Sequence, residues 1–217
     1  RQVDSSPAAA PSPAPAVVPP RPPKMQVAAH TPDALGRARQ ALMAQDYPRA
    51  ISELEALHRR QGSNQEIVRL LARAYLEGGQ QARLLAWLPG QLRLYPHDSD
   101  LSVLLARAQL QAGDNAGAVA TLSSHRPSLV SDPNYYALLG ASLQQTGQWQ
   151  ESAAIYQQLV SYRPGQGPWQ LGLAIALEQA GQPLEAGRHY RLAAQGTGLD
   201  ESARQFAEER GAALGEP

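Results

Sequence analysis

The sequence predicts an all-α solenoid built from helix–turn–helix repeats, and three observations lead to this fold class. First, four glycines recur every 34 residues: Gly79, Gly113, Gly147 and Gly181. Second, apolar residues keep the same phase in neighbouring blocks, so that Leu139 aligns with Leu173 and Tyr156 with Tyr190. Third, no insertion breaks this period between residues 31 and 200. A period of about 34 residues is typical of stacked helix pairs that bury their core between layers.

The period divides the chain into five blocks, a linker and a cap. The predicted repeats are 31–64, 65–98, 99–132, 133–166 and 167–200. In the first block Gln45 occupies the place of the turn glycine. Residues 1–30 are rich in Pro and Ala and are predicted to form a flexible linker, because such a composition cannot bury a core. Residues 201–217 are predicted to form a capping helix and tail.

Small residues recur where two helices of a repeat must approach each other. Gly140 and Ala174 hold this place in first helices, and Ser152 and Ala186 hold it in second helices. A bulky residue such as Tyr156 then fills the space between layers. Each turn glycine is predicted to adopt the left-handed conformation that ends the first helix.

Proline and acidic residues mark most of the predicted helix ends. Thr31 and Asp33 flank a proline at the first helix start, and Ser99 with Asp100 are predicted to cap the third block. Asp132 precedes a proline at the fourth block. Two irregularities stand out: Pro89 predicts that the second helix of block two is kinked or shortened, and the segment 126–131 predicts a short second helix in block three followed by a loop of about ten residues.

The last predicted helix has one apolar side and one charged side. Its Phe206 is the only phenylalanine of the chain. Open solenoids need a terminal cap, so we expect Phe206 to cover the end of the fifth block.

Composition excludes several classes of function. The formal charge is zero, with 19 basic and 19 acidic residues, so no global charge favours nucleic acid or an anionic membrane surface. The chain has no cysteine, which excludes disulfides, thiol nucleophiles and cysteine-based metal sites. No apolar run approaches the roughly 20 residues that span a bilayer.

No catalytic motif is apparent along the chain. Phosphate-binding loops, nucleophile elbows and zinc-protease helices are absent from the sequence. The five histidines are well separated in sequence and are predicted to be independent structural or surface residues. The sequence therefore predicts a non-catalytic protein with no cofactor and no metal site, whose partner is a protein or a peptide segment and not a nucleic acid.

The repeat pattern resembles that of the tetratricopeptide repeat (TPR) superfamily over about residues 31–214. This resemblance implies a right-handed superhelix in which positions two, five, nine and twelve of each first helix line a concave surface. Arg39, Arg73 and Arg107 hold the ninth position of the first three blocks, and Arg69 holds the fifth position of the second. We therefore expect an arginine ladder in the groove.

The ladder gives way to apolar and amide side chains in the last two blocks. The corresponding concave positions there are held by Ala141, Gln144, Leu171 and Ile175. These residues and the four arginines are the predicted partner-binding residues, with acidic groups meeting the basic half. The alternative is that the arginines are good helix formers on a solvated face.

A narrower resemblance concerns the segments 134–140 and 163–178, which read NYYALLG and RPGQGPWQLGLAIALE. They resemble the MshN family of biogenesis proteins of the MSHA-type type IV pilus, although Gln170 stands where a second Trp is usual. The resemblance implies a periplasmic assembly scaffold anchored in the inner membrane by a segment upstream of Arg1, with other pilus-assembly proteins as partners. Two alternatives stay open: a periplasmic chaperone or pilotin-like assembly factor, and the TPR portion of a larger polysaccharide-synthesis or glycosyltransferase system.

Overall fold

The computed structural model describes residues 33–215, which form eleven α-helices joined by short turns. The predicted linker 1–30 lies outside the described residues. The helices are α1 (Ala34–Met43), α2 (Tyr47–Arg60), α3 (Gln65–Glu77), α4 (Gln81–Leu94), α5 (Ser99–Gln111), α6 (Asn115–Ser124), α7 (Pro133–Gln145), α8 (Trp149–Tyr162), α9 (Gly167–Gln179), α10 (Pro183–Gln195) and α11 (Glu201–Ala213). The predicted all-α solenoid of helix pairs with a terminal helix is confirmed.

Side-chain caps begin seven of these helices. In each case an Asp or Asn side chain accepts a hydrogen bond from a backbone amide of the first turn: Asp33, Asp46, Asn64, Asp98, Asp114, Asp132 and Asp200. The predicted capping of block three was wrong by one residue. Asp98 caps α5, accepting from the amide of Leu101 at 3.1 Å, whereas Ser99 and Asp100 lie within its first turn.

Left-handed residues end the first helix of every pair, as predicted. The four turn glycines have φ between 72° and 83°, and Gln45 is the one residue with a side chain that shares this conformation among the described residues, with φ 58°. After each of them the next amide donates to a carbonyl five residues back, for example Gln80 N to Tyr75 O at 2.8 Å. This bond is the 6→1 bond of a Schellman motif and satisfies a carbonyl at the helix end.

Small residues allow the helices to approach each other as predicted. Ala174, Ser152 and Ala186 are fully buried, and the Ser152 hydroxyl donates to the Gly140 carbonyl at 2.9 Å. The Tyr156 ring is buried between α7 and α9. Close helix contact therefore depends on missing side-chain volume at these positions.

The core consists of two clusters that meet at α5. The N-terminal cluster contains buried residues between Ala38 and Ala108, and the C-terminal cluster contains buried residues between Ala106 and Ala207. Each layer contacts mainly its neighbours, as expected for a solenoid.

The two predicted irregularities have different outcomes. Helix α4 runs without interruption through Pro89 for 14 residues, so the shortened alternative was wrong. Helix α6 is short, with 10 residues, and residues 125–132 connect it to α7. The predicted short helix followed by a loop is confirmed.

The predicted role of Phe206 was wrong. Its side chain is 43% exposed, and its ring meets the edge of the Tyr190 ring at a centroid distance of 5.8 Å. Helix α11 docks on α10 through small buried residues, Ala207 and Gly211, instead. Because much of the Phe206 ring stays in water, Phe206→Ala is expected to cost about 1–2 kcal/mol, less than the ~3–5 kcal/mol that removal of a fully buried aromatic ring costs.

Candidate partner-binding groove

The odd-numbered helices line one side of the solenoid. Among helices that are not consecutive in sequence, direct contacts join α1 to α3, α3 to α5, α5 to α7, and α7 to α9. The first helices of successive pairs therefore form one continuous wall. The predicted concave residues all lie on this wall.

A groove of about 440 Å³ lies on this wall between α3, α5 and α7. Its apolar lining consists of half-buried side chains from all three helices: Leu70, Val103, Leu104 and Leu138. Its polar lining is mixed in charge: Arg69, Arg73, Asp100, Arg107, Asp132 and Asn134. A groove of this size accommodates a few side chains of an extended or helical peptide.

Tyr135 forms part of one wall of the groove and contributes apolar surface to it. Its hydroxyl donates to the Leu122 carbonyl at 2.8 Å, and the residue is fully buried. Burial raises the pKa of Tyr135 to about 12, so the phenol stays neutral at every physiological pH.

Three of the four predicted arginines are already paired within the chain. Arg39 bonds to Glu66, and Arg73 Nε bonds to Glu77 at 2.7 Å. Arg69 Nε donates to Asp98 Oδ2 at 2.7 Å, where the aspartate side chain is only 1% exposed. A buried carboxylate needs its cation, so Arg69 is a structural residue.

Arg107 differs from the other three arginines. Its side chain is exposed at the groove, and no carboxylate of residues 33–215 pairs with it. The Asn134 side chain, on the neighbouring helix, is also exposed and makes no hydrogen bond within this part of the chain. The Arg107 guanidinium and the Asn134 amide are therefore available to a ligand. They lie above the apolar floor of the groove, which consists of Leu70, Val103, Leu104 and Leu138.

The predicted apolar half of the site does not line this groove. The Gln144 side chain donates to the Gly172 carbonyl at 2.8 Å, linking α7 to α9. Leu171 and Ile175 pack, partly buried, against the C-terminal cluster, and Ala141 is half-buried. The structure thus brings Arg69, Arg73 and Arg107 together and leaves Arg39 and the apolar set elsewhere on the wall.

The apolar floor itself was missed at the sequence level. Its α5 part follows a readable pattern, because Asp100, Val103, Leu104 and Arg107 are spaced three and four residues apart and share one helix face.

The described residues contain no group of three or more side chains able to hold a metal ion. The histidines are less separate than predicted, because the rings of His97 and His125 meet at a centroid distance of 4.8 Å. Within residues 33–215, none of the helices combines the length and hydropathy that crossing a bilayer requires.

Stacked helix pairs whose first helices form one continuous wall define a helical-repeat solenoid. Profiles of the tetratricopeptide repeat family match residues 90–141 and 138–209, and the chain belongs to this family. TPR domains generally bind protein partners. No curated protein matches the sequence.

Solved structures with the same fold include several of the TPR protein MamA. MamA from MSR-1 is 21% identical, with a TM-score of 0.61, covering 82% of this chain and 95% of its own. Another MamA crystal structure is 17% identical with a TM-score of 0.65, covering 83% and 92%. MamA of Desulfovibrio magneticus RS-1 is 16% identical with a TM-score of 0.64, covering 74% and 90%. At these identities the likeness concerns the fold alone.

Proposed function

We propose that this domain is a non-catalytic scaffold that holds an acidic, partly apolar segment of another protein in the groove between α3, α5 and α7. The observation that carries the proposal is the unpaired Arg107 beside an apolar floor. A carboxylate of the partner would receive two parallel N–H bonds from the guanidinium. Its neighbouring apolar side chain would cover Val103 and Leu104.

Arg73 would support the same contact. Its present pair with Glu77 is exposed and lies within one helix, with side chains 57% and 34% exposed. Such pairs contribute only about 0.3–0.5 kcal/mol, so an incoming carboxylate can compete for the guanidinium. Charge-assisted hydrogen bonds are stronger, about 1.5–3 kcal/mol each, and affinity is expected to fall as salt rises.

We further propose that the partner belongs to the assembly machinery of an MSHA-like type IV pilus or a related secretion machine. The support is the sequence likeness of residues 134–140 and 163–178 to the MshN family, together with a Pro-rich segment ahead of the repeats. The proposed location is the periplasm, with an anchor in the inner membrane.

Binding measurements with purified variants test the groove. The partner candidates are periplasmic segments of other pilus-assembly proteins, titrated by calorimetry into the wild-type chain and Arg107→Ala. We expect a loss of about tenfold or more in affinity for Arg107→Ala, because one charge-assisted contact is worth about 1.5–3 kcal/mol, and a larger loss when Arg73→Ala is added.

The matched control is Arg59→Ala, which removes an exposed arginine of α2 outside the groove. If the Arg107→Ala/Arg73→Ala double variant binds the partner as tightly as wild type does, the two arginines do not contribute to binding and are only solvent-exposed residues of their helices. Binding that is weakened as much by Arg59→Ala would indicate a diffuse charge effect.

A further inference from the structure

The early end of α6 gives block three a different shape from its neighbours. Helices α4 and α8 each have 14 residues, but α6 has 10 and ends at Ser124. Pro127 follows closely, and a proline disfavours helical geometry in the residue before it. Roughly one helical turn is therefore missing, since a turn takes 3.6 residues.

A cavity of about 330 Å³, which we name the α6 notch, lies beside this early helix end. Helices α4, α5 and α6 contribute to its lining, which consists of Pro89, Leu92, Arg93, Pro96, Ser102, Leu105, Thr121, Ser124 and His125. Ser102 and Leu105 are buried and form the floor, while Arg93, Ser124 and His125 are exposed at the rim.

The notch and the groove use opposite faces of α5. Leu105 and Ser102 face the notch, whereas Val103, Leu104 and Arg107 face the groove. At 100° per residue these two sets lie on opposite sides of the helix. The notch and the groove can therefore each bind a ligand independently of the other.

The hydroxyl groups of the notch are already used as donors. Ser102 donates to the Asp98 carbonyl at 3.2 Å, Thr121 to the Gln109 side chain at 2.8 Å, and Ser124 to the Ala120 carbonyl at 2.8 Å. A carboxylate in the notch therefore finds no free hydroxyl donor and must meet the charged groups at the rim.

The rim is basic. Arg93 lines the notch, Arg126 follows directly after His125, and neither arginine pairs with a carboxylate of residues 33–215. The His125 ring contacts that of His97, which adds a second imidazole. No Asp or Glu lines the notch.

From these observations we propose that the α6 notch is a second docking site, which takes an acidic segment of a partner protein. An apolar side chain of that segment fills the space over Leu105 and Leu92, and adjacent carboxylates meet Arg93 and the His125 imidazole. Charge complementarity selects this occupant, because a basic rim repels basic segments and forms no charge-assisted contact with uncharged ones. The domain then holds two partner segments on opposite faces of α5.

A short probe peptide, acetyl-Glu-Leu-Leu-Glu-amide, tests this chemistry. It is titrated into the ¹⁵N-labelled chain, and amide chemical shifts report where it binds. We expect shifts centred on Thr121, Ser124 and Leu105, and at least tenfold weaker binding of the Gln-Leu-Leu-Gln counterpart, which has the same shape without the charge.

Three variants distinguish the notch from the groove. Arg93→Glu reverses the rim charge and is expected to weaken peptide binding at least tenfold, and Ser124→Trp is expected to block it by filling the notch from an exposed position. Arg59→Glu, outside both sites, controls for the change in net charge, and thermal melting checks that each variant is folded. The proposal is overturned if the peptide shifts only groove amides, if it shifts none at millimolar concentration, or if the Gln peptide binds equally well.

Discussion

Gln45 is the residue at which the turn chemistry of this solenoid is least favourable. It adopts φ 58°, while the four equivalent positions have glycine. The left-handed conformation costs a residue with a side chain roughly 1–2 kcal/mol, and glycine avoids most of that cost. The Gln45 side chain is exposed, so little contact is lost when it is removed.

We therefore expect Gln45→Gly to raise the free energy of unfolding by about 1 kcal/mol in urea titrations, since relief of strain exceeds the added freedom of the unfolded chain. Gly79→Ala is the matched substitution in the opposite direction, because it adds a side chain at the equivalent turn position of the next repeat. A Cβ there meets no atom within 4 Å, so its expected destabilisation is purely conformational. A neutral or destabilised Gln45→Gly variant would show that the glutamine makes a contact that offsets the strain.

His189 connects stability to pH through a short hydrogen-bond chain. Its Nδ1 lies 2.7 Å from Gln170 Oε1, and Gln170 Nε2 donates to the Pro164 carbonyl at 2.8 Å. Since the Gln170 nitrogen is the donor to Pro164, its oxygen is the acceptor, which makes His189 Nδ1–H the donor. Burial lowers the pKa of His189, and Glu185 offsets part of this effect.

A lowered pKa in the folded state means that the unfolded chain binds a proton first as pH falls. The contribution of His189 to stability is present above the unfolded value, about 6.5, and is lost as pH falls from there through the folded value. We expect urea midpoints of His189→Gln to depend less on pH between about 7 and 5 than those of wild type. An NMR titration of the His189 ring that shows a pKa at or above its ordinary value would contradict this expectation.

At the scale of elements, the packing of α7, α8 and α9 depends on two glycines around one ring. A Cβ on Gly172 would stand 2.4 Å from Tyr156 Cζ, and one on Gly140 would stand 2.8 Å from Tyr156 Cε2. Both distances are far inside van der Waals contact. The ring touches glycines of both helices and has little room to move away.

We expect Gly172→Ala to destabilise the chain, because overpacking costs about 1–3 kcal/mol and exceeds the helix-propensity gain of about 1 kcal/mol. Adding Tyr156→Leu to Gly172→Ala is expected to recover part of the loss, which a double-mutant cycle measures. Gly90→Ala in α4 is the control: the added Cβ would meet only Arg93 Nη2, at 3.6 Å, and the substitution is expected to stabilise the helix. If Gly90→Ala and Gly172→Ala changed the free energy of unfolding equally, steric overlap with the Tyr156 ring would not be the cause.

At the scale of the whole molecule, the two core clusters predict two regions of local stability. Leu54 is fully buried in the N-terminal cluster and Leu159 in the C-terminal cluster. Either Leu→Ala substitution is expected to cost about 2–5 kcal/mol. Nearest-neighbour coupling predicts that the loss is felt mainly in the layers that share the substituted residue.

Hydrogen exchange measures this distribution. We expect Leu54→Ala to lower amide protection mainly in α1–α4 and Leu159→Ala mainly in α7–α10. Uniform loss of protection across all helices in both variants would mean that the domain unfolds as a single cooperative unit.

The fold was predictable because its determinants are local. The turn glycines, the aspartate caps and the small residues at Gly140 and Ser152 act within one repeat, so a 34-residue period makes them visible in the sequence. The position of Arg107 on the inner wall follows from the same phase. The short α6 was equally readable, because its cause, the segment around Pro127, lies directly after the helix.

Only the tertiary structure decided which side chains remain available. Arg39 is paired by Glu66 and Arg69 by Asp98, residues 27 and 29 positions away that the superhelix brings beside them. Gln144 likewise donates to the Gly172 carbonyl in the next layer, and Phe206 is left 43% exposed where α11 docks through Ala207 and Gly211. The period fixes the direction of each side chain from its own helix. Its partner comes from a neighbouring layer, whose offset depends on how the helices pack, and so the free Arg107, the paired histidines and the α6 notch emerge only in three dimensions.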